Sequence, residues 1–462
     1  MTAPVAAQMR RLPQSVAAAF YRGGTSRGLL FHDVDIAPFD RNARDRILCS
    51  VMGSPDPDGR QIDGLGGGAS SLSKIAIVSP AGSAVAQRAR AAGHPLAAGY
   101  DWIDEDVQRT KQLCDIVYRF GQVPINSTTV DWTSTCGNMV AAVAHFAVQE
   151  GLVRPEVLAE RLPLPSEDQQ QQHSLPVKIL AHDSAKIVTA RVPVEYFGIG
   201  KDVRWLPAVE GKAEIAGVPG QHPGIIIESP LDGSVLSTGR AKDLLELDGE
   251  TIPVSVIDTG LPVVLISAKA LGAPLETLTA HPASIDSNRP FMDKIERLRE
   301  AASHLSPELK DKFSSTAPKV CVVHPRATYE STGETTVSAE DMDVLIRTVS
   351  VGQLHRTIPA TTLSALSASL CFGDSIVSEI LRSQRLSKAS TRAIQEASPS
   401  DEPSDPSIRA ITVGQPAGLS TASVQVDENG LPKAVVMLRT ARRIMQGQVL
   451  APPNCVPYSE KA

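Results

Sequence analysis

Three consecutive glycines at 66–68, inside the stretch SPDPDGRQIDGLGGGASSLSKIAIV at 54–78, set the strongest local constraint on how this chain folds. Glycine loses more backbone freedom on ordering than any other residue. Three in a row therefore point to unusual dihedrals or close backbone approach to a ligand, not to helix or strand. The loop reads as a binding surface. Its hydroxyls Ser70, Ser71 and Ser73 lead to Lys74, where the chain passes into the apolar run 75–78. An ammonium held at the rim of a core loses its proton more easily than one in water, which makes Lys74 a candidate base. A solvated lysine behind a flexible loop fits the same residues. GLGGGASSLSK does not have the G-x-x-x-x-G-K-[ST] spacing of a phosphate loop.

With 462 residues the chain exceeds one core, and two domains are expected, 1–200 and 201–462. A net charge of -6 and 4% aromatic residues argue against nucleic acid as a partner. Six scattered cysteines with no CxxC pair suggest neither a zinc site nor a disulfide framework, but reduced thiols in a cytoplasmic protein. No apolar run approaches a membrane span of ~20 residues, and 1–19 lacks the apolar core of a secretory signal. Arg10 and Arg11 in an acid-poor start leave a mitochondrial leader open.

Two short strands, 16–21 and 29–32, flank RGGTSRG at 22–28. Thr25, Ser26 and the glycines offer donors to an anion and Arg22 and Arg27 supply charge, although a plain hairpin turn explains the motif as well. Residues 42–52 are spaced as a helix, and 81–114 read as a surface insertion. TSTCGNMVAAVAHFAVQEG at 133–151 predicts a helix capped by Ser134 or Thr135 and ended by Gly151. Cys136 then lies at a helix N-terminus, where free N–H groups favour a thiolate and Gly137 and Asn138 add donors for a carboxylate or enolate. A small buried thiol is the alternative. His145 reads as a packed core histidine.

A hairpin at 175–194 closes the first half, with the boundary near 195–205. The second half repeats the order: strands, a helix at 290–304, a strand at 319–324, a helical stretch 353–369 with Pro359 near its beginning, a disordered surface loop at 384–408, and a hairpin around Asn429 and Gly430. This order suggests an internal duplication.

RGGTSRG, SPDP-G-QIDG-GG-SS-SK, DW-CGN and the turn DTGLPVV together resemble the PrpF family, over about 21–447. The resemblance implies an α+β, diaminopimelate epimerase-like fold, with two similar domains, each a curled sheet around a central helix, and a site in the cleft between them. It implies an isomerase that needs no metal or organic cofactor and shifts a C=C bond, by a 1,3-proton shift or a cis-trans change, in a small unsaturated polycarboxylic acid such as aconitate, methylaconitate or an itaconate-like acid. The family's lysine falls on Lys74 and its cysteine on Cys136. The implied carboxylate-binding set is Thr25, Ser26, Gly67, Gly68, Ser70, Ser71, Gly137, Asn138, Thr238, Gly239 and Arg299. A homodimer is compatible with this. Where relatives often read PTGN this chain has STGR, so Arg240 is expected to alter which carboxylates fit. The rival readings are a non-catalytic polycarboxylate-binding accessory protein and the two-cysteine racemases of the same fold, for which the second half offers no cysteine placed like Cys136.

Overall fold

In the computed structural model of the protein, the described residues are 14–82, 113–132, 136–163, 172–182, 186–199, 202–231, 234–314, 316–392 and 407–453. Most of the expected insertion at 81–114 lies outside them.

Alternation of apolar residues makes β1 (Gln14–Gly23) and β2 (Ser26–His32) an antiparallel hairpin. The polar loop then delivers β3 (Lys74–Pro80) parallel to β2, with Gly28 opposite Lys74. β4 (Ile116–Gln122) runs antiparallel to β3, β5 (His173–Ala181) parallel to β4, and β6 (Lys186–Ile199) antiparallel to β5. Two strands from beyond residue 200 close the ring. Gly224–Pro230 pairs with β6, and the last strand, Pro432–Ala451, pairs with Gly224–Pro230 on one side and with β1 along 441–451. The result is an eight-stranded barrel around the helix Gly137–Gln149. That helix is buried from Asn138 through Ala144 without a break, as an apolar helix inside a closed sheet should be.

The second half repeats the plan in an open form. Asp243–Leu247, Glu250–Asp258, Pro262–Ser267, Lys319–Pro325, Val344–Ser350, Ile408–Gln415 and Gly418–Val426 follow one another across a curled sheet that ends on the last strand. Its central helix is Ala360–Ser369. Serines at 364, 367 and 369 are tolerated at this core position because each hydroxyl donates to a carbonyl of the same helix. The α+β, diaminopimelate epimerase-like architecture expected above is the one observed. Outside the sheets, helices Arg41–Val51 and Arg289–Ser303 cover the first and second halves with apolar faces that include Ile47 and Leu48, and Ile295 and Leu298.

Three boundaries differ from the sequence reading. The helical stretch expected from 353 begins only at Ala360, because Pro359 disfavours helical dihedrals in the residue before it; Gln353–Leu354 is instead a short strand. The first central helix starts at Gly137 with Cys136 as its cap residue, and positions 133–135, where a hydroxyl cap was expected, lie outside the described residues. Residues 384–392, read as loop, are the end of the helix Ile376–Arg392, anchored at its start by buried Ile376, Val377 and Ile380; 393–406 are not among the described residues.

Candidate active site

The N-termini of the two central helices meet. A Cβ placed on Gly137 would lie 3.0 Å from the Cβ of Ala360, and neither cap residue, Cys136 or Pro359, satisfies a helix N–H with its side chain. Two sets of unmatched N–H groups, each at the positive end of a helix, therefore face one cavity. With its open mouth the cavity spans about 720 Å³. Among the described residues no aspartate or glutamate lines it, whereas Lys74, Lys319 and His355 do. Such a surface suits an anion.

Lys74 opens β3, and the chain folds tightly to place it there. Gly28, opposite in β2, has no room for a side chain, since a Cβ would lie 2.3 Å from the Lys74 carbonyl oxygen. Lys74 Nζ donates to Gln122 Oε1 at 2.6 Å and lies 5.2 Å from the Phe120 ring centre. The Gln122 amide cannot turn away, because its Nε2 donates to the carbonyls of Ser70 and Ser73 at 3.1 and 2.8 Å. Lys74 is 8% exposed, and burial lowers its pKa from the ordinary lysine value, opposed by the nearby Cys136. The glycine-rich loop is wired from within. Gln61 donates to Ser54 and Ser73, and accepts from the Gly68 N–H at 3.0 Å.

On the facing wall, Ser26 Oγ lies 4.0 Å from Cys136 Sγ. Asn138 Nδ2 donates to Thr25 Oγ1 at 3.2 Å and Ser26 Oγ at 3.5 Å, and Thr357 of the second half donates to Thr25 at 3.1 Å. The structure thus brings together Thr25, Ser26, Ser70, Ser71, Lys74, Cys136, Gly137 and Asn138 in one cavity.

Other expected residues are elsewhere. Gly67 and Gly68 do not line the cavity; they close the loop beneath it, Gly67 against Leu72 and Gly68 against Gly59 and Gln61. Thr238 and Gly239 form a turn in which Thr238 donates to Asp243 at 2.6 Å, and Arg240 pairs with the same carboxylate. Arg299 faces inward but away from the cavity, donating to the carbonyls of Ser314 and Ala317 and pairing with Glu296. It fastens the segment that leads to the cavity residues Thr316 and Lys319. Of the RGGTSRG arginines, Arg22 donates to Gly24 O and Thr440, and Arg27 lies against the Phe20 ring. Neither lines the cavity.

The positive charge of the second half comes from a residue the sequence reading treated only as a strand start. Lys319 opens KVCVVHP as Lys74 opens KIAIVSP, and each strand runs parallel to the second strand of a hairpin. The shared K-x-x-x-V-x-P pattern was the available signal. Lys319 Nζ donates to Thr316 O at 3.0 Å. Burial, with Lys74 the second cause, brings its pKa down to about 8. His355 is held neutral, its pKa pushed down to about 3 by burial and by Lys319 and Lys74, and its buried Nε2 has no hydrogen-bond partner.

A closed sheet around one helix, an open sheet around a second, and an acid-free cavity with two buried lysines and a thiol where the helices meet define an anion-handling enzyme of the diaminopimelate epimerase-like fold. The family model described as "PrpF protein" matches residues 14–87 and 107–452, and the chain belongs to that family. It is 30% identical to a 2-methyl-aconitate isomerase of Shewanella oneidensis over 95% of this chain and 97% of that one. It is 27% identical to a 3-methylitaconate isomerase of Eubacterium barkeri over 96% of each chain. Among solved structures, a methylitaconate-delta-isomerase superposes with a TM-score of 0.65 at 25% identity, covering 97% of this chain and 99% of that one.

Proposed function

We propose that the protein is an isomerase of small unsaturated di- or tricarboxylic acids, moving their C=C bond by a 1,3-proton shift, with Lys74 as the base. The relatives' names support the reaction class. The observation that carries the reading is the placement of a buried amine in a cavity with no carboxylate to hold it charged. Removing an allylic proton from such an acid spreads negative charge over a dienolate and its carboxylate. The step needs a base of suitable pKa and donors already aimed at the charge.

In this reading the amine of Lys74 takes the proton from the allylic carbon, the C–H electron pair moves into the conjugated system, and the double bond shifts as a proton is delivered at the far carbon. Cys136, which lines the same cavity, either delivers that proton or orients the acid. Thr25, Ser26, Ser70, Ser71, Gly137 and Asn138 would receive the carboxylates from the first half, and Lys319 and His355 from the second. Burial opposes the charge of Lys74 and favours its neutral amine, with Cys136 acting in the other direction.

A racemase would need a second thiol facing the first. Among the described residues Cys136 is the only cysteine lining the cavity; Cys371 follows the second central helix and its thiol is pushed up by burial. The free cysteines fit a reducing cytoplasm, and no helix of the described residues is long and apolar enough to cross a membrane. A homodimer belongs to the same proposal and is read by light scattering.

The test is proton NMR of the pure protein in deuterated water with aconitate, 2-methylaconitate and 3-methylitaconate. Double-bond migration with deuterium entering the allylic position is expected for at least one acid. Line broadening without exchange for every acid would instead indicate a binding protein.

A further inference from the structure

Arg439, on the last strand, is 7% exposed and forms no ion pair with any carboxylate of the described residues. A buried guanidinium is costly unless its donors are met, and here all three nitrogens are engaged. Nε donates to Asn138 Oδ1 at 2.9 Å, one terminal nitrogen to the Leu438 carbonyl at 2.8 Å, and the other to Met437 Sδ at 3.3 Å. Burial lowers its pKa to about 10, and the one group favouring its charge is Cys136. Among the described residues the guanidinium is thus met by an amide oxygen, a carbonyl and a thioether, and not by a carboxylate.

The first of those bonds decides the rest. Because Oδ1 of Asn138 accepts from a group that cannot act as an acceptor, its Nδ2 is committed to Thr25 and Ser26. Ser26 Oγ, accepting from Asn138, then has its own proton for Cys136 Sγ. The turn is shaped to leave this contact intact: at Gly24 a Cβ would lie 2.5 Å from Asn138 Oδ1 and 3.2 Å from Arg439 Cδ.

We propose that Arg439 is a positioning residue for the active site, fixing the Asn138 amide and, through Ser26, aiming a donor and a positive field at the Cys136 sulfur. It rests on the isomerase reading only in taking Cys136 to work in that cavity. The charged and titratable groups that face the sulfur are Lys74 from β3, Lys319 and His355 from the second half, and Arg439 from behind the helix. Arg439 is the one among them that does not line the cavity; it lines a neighbouring one with Thr25 and Asn138, so its effect on the thiol is read without substrate.

The experiment follows iodoacetamide labelling of Cys136, read peptide by peptide in the mass spectrometer, as a function of pH in the wild type, Arg439→Gln and Ser26→Ala. Removing a buried positive charge from beside a thiol should move the labelling midpoint upward by about one pH unit or more. Ser26→Ala, which keeps the charge and breaks the relay, should move it upward by less. Arg439→Gln should also lower kcat with the larger part of the loss outside KM. A labelling midpoint unchanged in folded Arg439→Gln overturns the proposal; if that variant does not fold, an unchanged midpoint in Ser26→Ala overturns it. The labelling curves need no substrate. Shifted curves in a protein without isomerase activity would therefore uphold this inference and fail only the functional reading.

Discussion

The two lysines make different demands on experiment. Lys74 sits at a strand end, its ammonium bound only to a glutamine amide, so Lys74→Ala should fold and lose isomerisation by about 10²–10⁴-fold, the usual worth of one general base. Turnover close to wild type in that variant ends its assignment as the base. Lys319 is read through stability. Between about 8 and its ordinary 10.5 the unfolded chain binds a proton that the folded chain does not, so stability rises with pH across that window. Below pH 8 the cost of burying the ammonium is fully present. Lys319→Met should accordingly be more stable than wild type near neutral pH, the gap closing as pH climbs toward 10.5, while catalysis falls. Urea melts at several pH values measure this, and a variant less stable than wild type near neutrality contradicts the sign. Neither lysine's role could be told from composition. Lys74 was legible because glycines and hydroxyls precede it without any structural use in a helix or strand. Lys319 has no such loop before it, and its repeat with Lys74 is seven residues long.

Among the elements, the turn between β1 and β2 separates what sequence could say from what it could not. RGGTSRG was legible as a donor-rich turn, but its arginines serve the fold, and Gly24 is required by two conditions at once. Its φ of 52° is in the left-handed region, and a Cβ there would strike the Asn138 amide. Gly239 has a similar φ of 72° with nothing within 4 Å of its would-be Cβ, and its turn is outside the cavity. The pair makes a controlled comparison. Both Gly24→Ala and Gly239→Ala should lose about 1–2 kcal/mol for the left-handed backbone. Gly24→Ala should in addition lose substrate turnover by displacing Asn138, whereas Gly239→Ala should keep it. Equal activities in the two variants would show that the Asn138 contact has no catalytic consequence. Residues 238–239 lie outside the cavity, a placement hidden from sequence because a Gly-containing turn at one sheet edge looks like one that opens onto a ligand. Arg299 donates to the carbonyls of Ser314 and Ala317, which sequence could not show, because a helix arginine reveals its spacing and not which carbonyls lie beneath it.

For the molecule as a whole, the last strand holds the two halves together. It supplies a barrel strand at 434–451 and the end of the second sheet at 432–436, and Arg439 lies three residues past the overlap, on the barrel side. The division near residue 200 described the repeat of elements in the sequence; strand pairing crosses it, because Gly224–Pro230 and Pro432–Ala451 stand between β6 and β1. A fragment of residues 1–207 would therefore carry Lys74 and Cys136 and still expose two sheet edges in place of a closed barrel. It should aggregate or remain unfolded when expressed alone, and circular dichroism with size-exclusion chromatography checks this. A soluble, cooperatively melting fragment would mean that the first half closes by itself. Strand partners so far apart were beyond sequence periodicity, which reports which face of a strand is buried and not which neighbour it finds.

This closure also sets an order of events during synthesis. Lys74 and Cys136 have been polymerised by residue 140, yet the barrel's final strand ends roughly 250 residues after β6, a wait of about 10–50 s at ~5–20 residues per second. Throughout that interval β1 and Gly224–Pro230 each keep an edge without its native partner, and Arg439 has not yet been made. A stop codon anywhere in the final strand would thus yield a long chain with its lysine and cysteine in place and nowhere to fold them. The first half's sheet can therefore close into a barrel only once the last strand, Pro432–Ala451, has been made.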